Sequence, residues 1–292
     1  MNLELGTDLL LADLLARLDP ASAGTVVEIG LGRVNFTFQW ARPRGHRCFA
    51  VEPLPTPVLR DACARHGVPL VEAAVAATDG EVDIFLGAVN GHDLPDVSSL
   101  NPRWWGASAN ARRVRAVTLP TLAAELALDT VTLLKIDTEG SEPAVVAGLH
   151  RIAAPVRPAL VCFEYGGGGP RRDARGGWSE EFFAGTQSCL RDLQALGYRQ
   201  ALLLDESRAE PQLVDLAATA DFAALFAPES TVGNLIALRD PIDAAWLAAH
   251  WRGFAPQFAR ALRRERWSYR WTWLRHHATR VRTGLLHRIG VR

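Results

Sequence analysis

One stretch of the chain concentrates groups able to do chemistry: LLKIDTEGSEPAVVAGL, residues 133–149. It begins as an apolar run of the kind buried in a parallel sheet and ends with apolar residues at helical spacing. Between these parts stand Lys135, Asp137, Glu139 and Glu142. Carboxylates at the end of a strand can hold a cation, bind a metal that polarises a hydroxyl, or take a proton from a nucleophile. Gly140 permits the turn. Glu142 falls in the first helical turn beside Pro143, where an acid favours the positive end of the dipole, so a structural role is expected for it. Lys135 is the single lysine among 292 residues. A lysine in a buried strand needs an acid partner, and Asp137 or Glu164 is the expected one.

A second constellation is VVEIGLGRVN, residues 26–35, which sets Glu28, Gly30 and Gly32 at another strand end. Glycines there let the backbone turn tightly and approach a ligand. Glu52 ends the next strand, a spacing suited to a carboxylate that accepts hydrogen bonds from ribose hydroxyls. A nicotinamide dinucleotide and S-adenosylmethionine both fit. The dinucleotide fingerprint needs a third glycine under the pyrophosphate, and Asn35 stands in that place. S-adenosylmethionine has no pyrophosphate. Glu28 also suits it, either orienting the loop or reaching the cofactor's ammonium group.

Elements that would position these groups can be read from periodicity. Apolar runs at residues 25–30, 46–53, 68–76, 131–137, 158–165, 198–205 and 231–238 read as strands, mostly separated by helical segments. EVDIFLGAV, residues 81–89, alternates and reads as a half-exposed strand; RVRAVTL, residues 113–119, is strand-like. Residues 90–113 read as an irregular insertion. The alternation predicts an α/β fold: a Rossmann-like, doubly wound, mainly parallel seven-stranded sheet. Such sheets bind ligands beyond the carboxyl ends of their strands. Residues 1–24 are expected to form an N-terminal amphipathic helix, residues 25–240 the sheet domain, and residues 241–292 a helical appendage.

Taken together, these pieces resemble the FkbM-type methyltransferase family. LLKIDTEGSEPAVVAGL is similar to the family's L-K-I-D-x-E-G-x-E before a helix. FAVEPLP is similar to its F-E-P, VEAAVAATDGEVDIFL to its N-A-A and D-G-E-V elements, and VSSL with TLPTL to its S-S-L and T-L-D-x-L elements. The likeness runs from about residue 25 to 165. Departures are Gly32 and Val34 in the first motif, where the family carries asparagine and glycine, and Pro120 in place of aspartate.

The resemblance implies a class I fold, S-adenosylmethionine as cofactor, and methyl transfer, commonly to oxygen of a sugar or secondary metabolite. The cofactor residues it implies are Glu28, Gly30, Gly32, Asn35, Glu52, Pro53, Glu72, Ala74 and Asp137. Asp137, Glu139 and Glu164 are the catalytic candidates. His92, Ser99, Tyr165, Arg171 and Arg172 are candidates for acceptor contacts. The two arginines lie in the glycine-rich loop YGGGGPRRDARGGW, which reads either as a lid for an anionic acceptor or as a solvated linker. Asp137, Glu139 and Glu164 offer hard oxygen ligands of the magnesium type. Three carboxylates alone do not specify such a site, and no metal is assigned. A nicotinamide oxidoreductase and a non-catalytic Rossmann scaffold are the competing readings.

Composition bounds the rest. The chain is 48% hydrophobic and 22% charged with net charge +0, which gives no overall bias toward nucleic acid. The zero hides an asymmetry: from Arg252 onward there are eleven Arg and one acid, Glu265, so the remainder carries a net charge of −10. Trp246, Trp251, Trp267, Trp271 and Trp273 interleave with this basic segment. It reads either as a helix on an anionic membrane surface or as one docking onto the acidic body. Four cysteines without metal-ligand spacing are expected to be reduced and structural, in keeping with a cytoplasmic protein. The acceptor is expected to be a small molecule or glycan, with no nucleic-acid partner; the sequence leaves oligomeric state open.

Overall fold

A computed structural model describes residues 3–32, 36–89, 92–208, 210–253 and 256. The core strands are β1 (Thr25–Ile29), β2 (Arg47–Val51), β3 (Leu70–Val71), β8 (Val131–Ile136), β9 (Leu160–Gly166), β10 (Gln200–Asp205), β11 (Gln212–Asp215) and β12 (Val232–Leu238). They form one eight-stranded sheet in the order β11-β10-β12-β9-β8-β1-β2-β3. The five strands from β9 to β3 are parallel, and β12 enters antiparallel between β9 and β10. The expected count of seven is exceeded by β11, a short edge strand paired only to β10.

Side chains alternate between two cores because successive strand residues point to opposite faces. Val26, Cys48, Leu133 and Cys162 enter one core with α1 (Leu3–Leu18), α2 (Phe38–Ala41) and α3 (Pro57–His66). Val27, Phe49, Leu134 and Phe163 enter the other with α4 (Leu119–Glu125), α5 (Glu142–Gly148) and α6 (Glu180–Ala195). All four cysteines are free and buried.

The run at residues 68–76 is divided. β3 joins the main sheet, whereas β4 (Ala74–Val75) joins a second sheet with β5 (Gly80–Val89), β6 (His92–Asp93) and β7 (Ala107–Val117), in the order β4-β7-β5-β6. EVDIFLGAV therefore belongs to a side hairpin with β7 rather than to the main sheet. Residues 244–253 are helical and pack on α1. Leu247 and Trp251 are buried with Leu10 and Leu14, the Arg17 guanidinium lies 5.3 Å from the centre of the Trp246 ring, and His250 Nε2 is 3.8 Å from Asp13. Trp267, Trp271 and Trp273 lie outside the described residues, as does Asn35. Among the described residues, no helix is long and apolar enough to cross a membrane.

Candidate active site

The carboxyl ends of β1, β2 and β8 open into a cleft of about 820 Å³, part of it solvent. Its lining includes Gly30, Gly32, Glu52, Pro53, Ala74, Asp96, Asp137 and Glu139. It lies where the direction of strand order reverses, between β1 and β8, the place where open α/β sheets bind ligands. Gly30 is required there. Its φ is +81°, and a Cβ on it would lie 1.7 Å from the Asp137 carbonyl oxygen. The ends of β1 and β8 touch at that point, with the Asp137 N–H donating to the Ile29 carbonyl at 2.8 Å.

Glu52 organises the loop after β1. One of its oxygens accepts the Leu31 N–H at 2.9 Å and the other the Leu54 N–H at 2.8 Å. Each carboxylate oxygen keeps a lone pair for a further donor. Burial raises its pKa, and the two N–H groups oppose that rise.

Past β8 the chain turns through Asp137, Thr138, Glu139 and Gly140. Glu139 holds φ +54° and Gly140 φ +96°; the first is a conformation that non-glycine residues seldom adopt without support. Glu142 gives that support. Its Oε1 accepts the Thr138 N–H at 2.9 Å and the Thr138 hydroxyl at 3.0 Å, and its Oε2 accepts the Gly140 N–H at 3.0 Å. Glu142 is thus the clamp of the turn, in keeping with its expected structural role. The Glu139 carbonyl accepts the Ser99 hydroxyl at 2.6 Å, and its carboxylate accepts the Trp104 indole N–H at 2.6 Å.

Three carboxyls at this rim are pushed up in pKa. Asp137 rises to about 7, chiefly through burial, and its carboxylate makes no hydrogen bond among the described residues. Glu139 is raised by burial and then by the charge of Asp137. Glu164 is raised by burial, then by Asp137 and Glu139. Glu164 lines a neighbouring cavity of about 530 Å³ together with Trp104, Gly140, Tyr165 and Phe182. The catalytic candidates therefore border two adjoining spaces. Among the described residues, no group of three His, Cys, Asp or Glu could hold a metal ion.

Several expected contacts are placed elsewhere. Lys135 pairs with neither Asp137 nor Glu164: its Nζ donates to Glu28 Oε1 at 3.0 Å and lies 3.8 Å from Glu4. Glu28 is buried and also accepts the N–H and hydroxyl of Thr37, each at 2.9 Å, so it orients the loop and does not line the cleft. Glu72 is exposed and paired with Arg60; the next residues, Ala73 and Ala74, line the cleft in its stead. Ser99 is fully buried and spent on the Glu139 turn. The buried Tyr165 hydroxyl donates to Asp205 at 3.1 Å. His92 is exposed on β6, away from both spaces. Arg171 donates to the Phe226 carbonyl at 2.7 Å, and exposed Arg172 lies 3.9 Å from Asp173. The glycine loop is bound to the body: the Gly167 N–H donates to the Thr231 carbonyl at 2.8 Å and the Arg171 N–H to the Ser230 carbonyl at 2.7 Å. Sequence reading missed Asp96, Thr138 and Trp104 as site residues. Only the Trp104-Trp105 pair gave a signal, two large aromatics inside a polar insertion.

A Gly30 turn without room for a side chain, a carboxylate with free lone pairs at the end of β2, apolar walls from Ala73, Val75 and Ile84, and an Asp137 carboxylate with no hydrogen bond among the described residues fit a nucleoside carrying a cationic tail. The strand order is that of a Rossmann-like fold of the class I methyltransferase type. The family model "Methyltransferase FkbM domain" matches residues 28–199. That span exceeds half of the chain, and the chain belongs to this family; it is an S-adenosylmethionine-dependent methyltransferase.

Among solved structures, the METTL16 methyltransferase domain is similar at 8% identity and TM-score 0.43, over 82% of this chain and 68% of that one. WbdD is similar at 10% identity and TM-score 0.39, over 82% of this chain; this chain spans only 40% of WbdD. Geranyl diphosphate C-methyltransferase from Streptomyces coelicolor A3(2) is similar at 12% identity and TM-score 0.38, over 81% of each chain. These likenesses are distant. No curated protein matches the chain in sequence.

Proposed function

We propose that the protein methylates a hydroxyl oxygen of a small-molecule or glycan acceptor. The observation that supports this reading is the set of buried carboxyls at the ends of β8 and β9: Asp137, Glu139 and Glu164, each raised in pKa by burial and by the neighbouring carboxylates. Such a set gains stability by taking up a positive charge or a proton. When bound, S-adenosylmethionine supplies an electrophilic methyl on a sulfonium. Glu52 accepts hydrogen bonds from ribose hydroxyls. Asp137, ionised, faces the cationic end of the cofactor. In ionised form, Glu139, held by Trp104, or Glu164 accepts the hydroxyl proton. Trp104 and Phe182 pack edge to face with centroids 4.7 Å apart and wall the neighbouring cavity beside Glu164.

The test uses the full-length chain, methyl-labelled S-adenosylmethionine and a panel of glycosides, phenols and polyols, with amine acceptors as controls. The reading predicts label in a methyl ether. Label confined to the amines contradicts oxygen as the acceptor atom. The packing of Trp246 and Trp251 on the body supports self-docking for the start of the basic segment.

A further inference from the structure

The ion pair beneath the cleft has a role that no motif assigns. β1 and β8 are in register with Glu28 opposite Lys135. Two residues further on, the strands end at Gly30 and Asp137, where the chain leaves no room for a side chain. Lys135 grips Glu28, and Glu28 grips Thr37. Gly30 follows β1 and Thr37 precedes α2, so the lysine, through Glu28, ties the end of β1 and the start of α2 to the strand that leads to Asp137. The N-terminal helix closes the arrangement. Glu4 of α1 lies 3.8 Å from the ammonium, and Asn234 of β12 donates to the Thr7 hydroxyl at 3.0 Å and to Glu4 at 3.4 Å. Both α1 and β12 lie outside residues 28–199, the part matched to the family.

We infer that Lys135 is a positioning residue for methyl transfer, clamping the Gly30 loop and Asp137 in one geometry, and that α1 completes the clamp through Glu4. The charged groups facing Lys135 are Glu4 and Asp8 from α1, Glu28 from β1 and Asp137 from β8. Those acting on Asp137 include Lys135, Glu4, Glu142 and Glu28, and Asp137 in turn acts on Glu139 and Glu164. Burial disfavours the Lys135 charge, but Glu28 and the other carboxylates outweigh it and hold the ammonium protonated. It is the cation among these carboxylates that favours an ionised Asp137. Removing it leaves the carboxylates to repel one another, and Asp137 then holds its proton to higher pH. Removing the Glu4 charge has the opposite sign. The cofactor end of the cleft therefore depends on a helix beyond the matched domain.

This inference rests on the proposed cleft only through cofactor binding, so the experiment reads binding rather than turnover. S-adenosylhomocysteine is titrated calorimetrically into full-length wild-type, Glu4→Gln, Lys135→Arg and Lys135→Met proteins across the pH range around neutrality. Lys135→Met is expected to weaken binding by about tenfold or more through misplacement of the loop, and to move the acid limb of binding to higher pH. Lys135→Arg recovers most of the affinity. Glu4→Gln, altered at a partly exposed position that leaves the Lys135–Glu28 pair intact, folds and moves the acid limb to lower pH. Unchanged affinity in Lys135→Met, or an unmoved limb in Glu4→Gln, overturns the inference; the second still decides if Lys135→Met does not fold. Wild-type protein that binds no S-adenosylhomocysteine overturns the cofactor cleft itself, and the inference with it.

Discussion

Replacing Asp137 by asparagine separates what this carboxyl costs the fold from what it does in the site. Its pKa rises from 3.8 to about 7, mainly through burial. Between those values the native state binds a proton that the unfolded chain has lost, so stability falls as pH rises through the window. At 1.36 kcal/mol per pH unit, the ionised group costs the native state about 4 kcal/mol above neutrality. That cost is already net of the attraction of Lys135, so an uncharged asparagine recovers up to about 4 kcal/mol above neutrality. For a chain of this size the gain corresponds to a Tm increase of roughly 8–16 °C. Thermal unfolding of both proteins well above neutral pH and at acid pH is the assay. The variant should be more stable at the higher pH, and the advantage should vanish where wild-type Asp137 is protonated. Binding of S-adenosylhomocysteine and methyl transfer should both fall in the variant. A variant less stable than wild type by the same amount at both pH values refutes the reasoning, because the burial of a charge would then not be what Asp137 costs.

Further predictions concern the cradle, the turn and the corrected contacts. Gly30→Ala forces a Cβ against the Asp137 carbonyl at φ +81°; denaturant unfolding should show a loss of at least about 2 kcal/mol, with S-adenosylhomocysteine binding weakened. Trp104→Phe removes the N–H that holds Glu139 and lowers its pKa; kcat should fall and its acid limb move to higher pH, with cofactor affinity retained. Glu72→Ala should leave both cofactor affinity and the unfolding midpoint unchanged, since its exposed carboxylate pairs with Arg60 at the surface; a large loss of affinity would place it in the cleft after all.

The sheet was legible because buried strands advertise themselves. TVVEIG, VTLLKID and PALVCFEY became β1, β8 and β9, with the predicted acids at their ends. The side sheet was harder to anticipate, because EVDIFLGAV alternates in the same way whether it pairs with the core or with β7. The Asp137–Gly140 turn was legible as a place, and so was the structural role of Glu142. Two kinds of residue escaped. Partners brought together by the fold from distant sequence, such as Lys135 with Glu28 and Trp104 with Glu139, leave no local spacing to read. Exposed polar residues beside lining residues, such as Glu72 beside Ala73, sit in the two-residue link between β3 and β4, where no periodicity tells which side chain turns to the cleft and which to the surface. The arginines of the glycine loop misled for a related reason: that loop is packed through its glycines, and Arg171 reaches across to the Phe226 carbonyl.

The most direct test is a calorimetric titration of the full-length chain with S-adenosylhomocysteine, beside Gly30→Val as a cleft-blocked control. One-to-one binding by the wild type that is lost in the variant is the predicted result. No binding by the wild type at millimolar ligand, or equal binding by both proteins, would contradict a cofactor cleft between Gly30, Glu52 and Asp137.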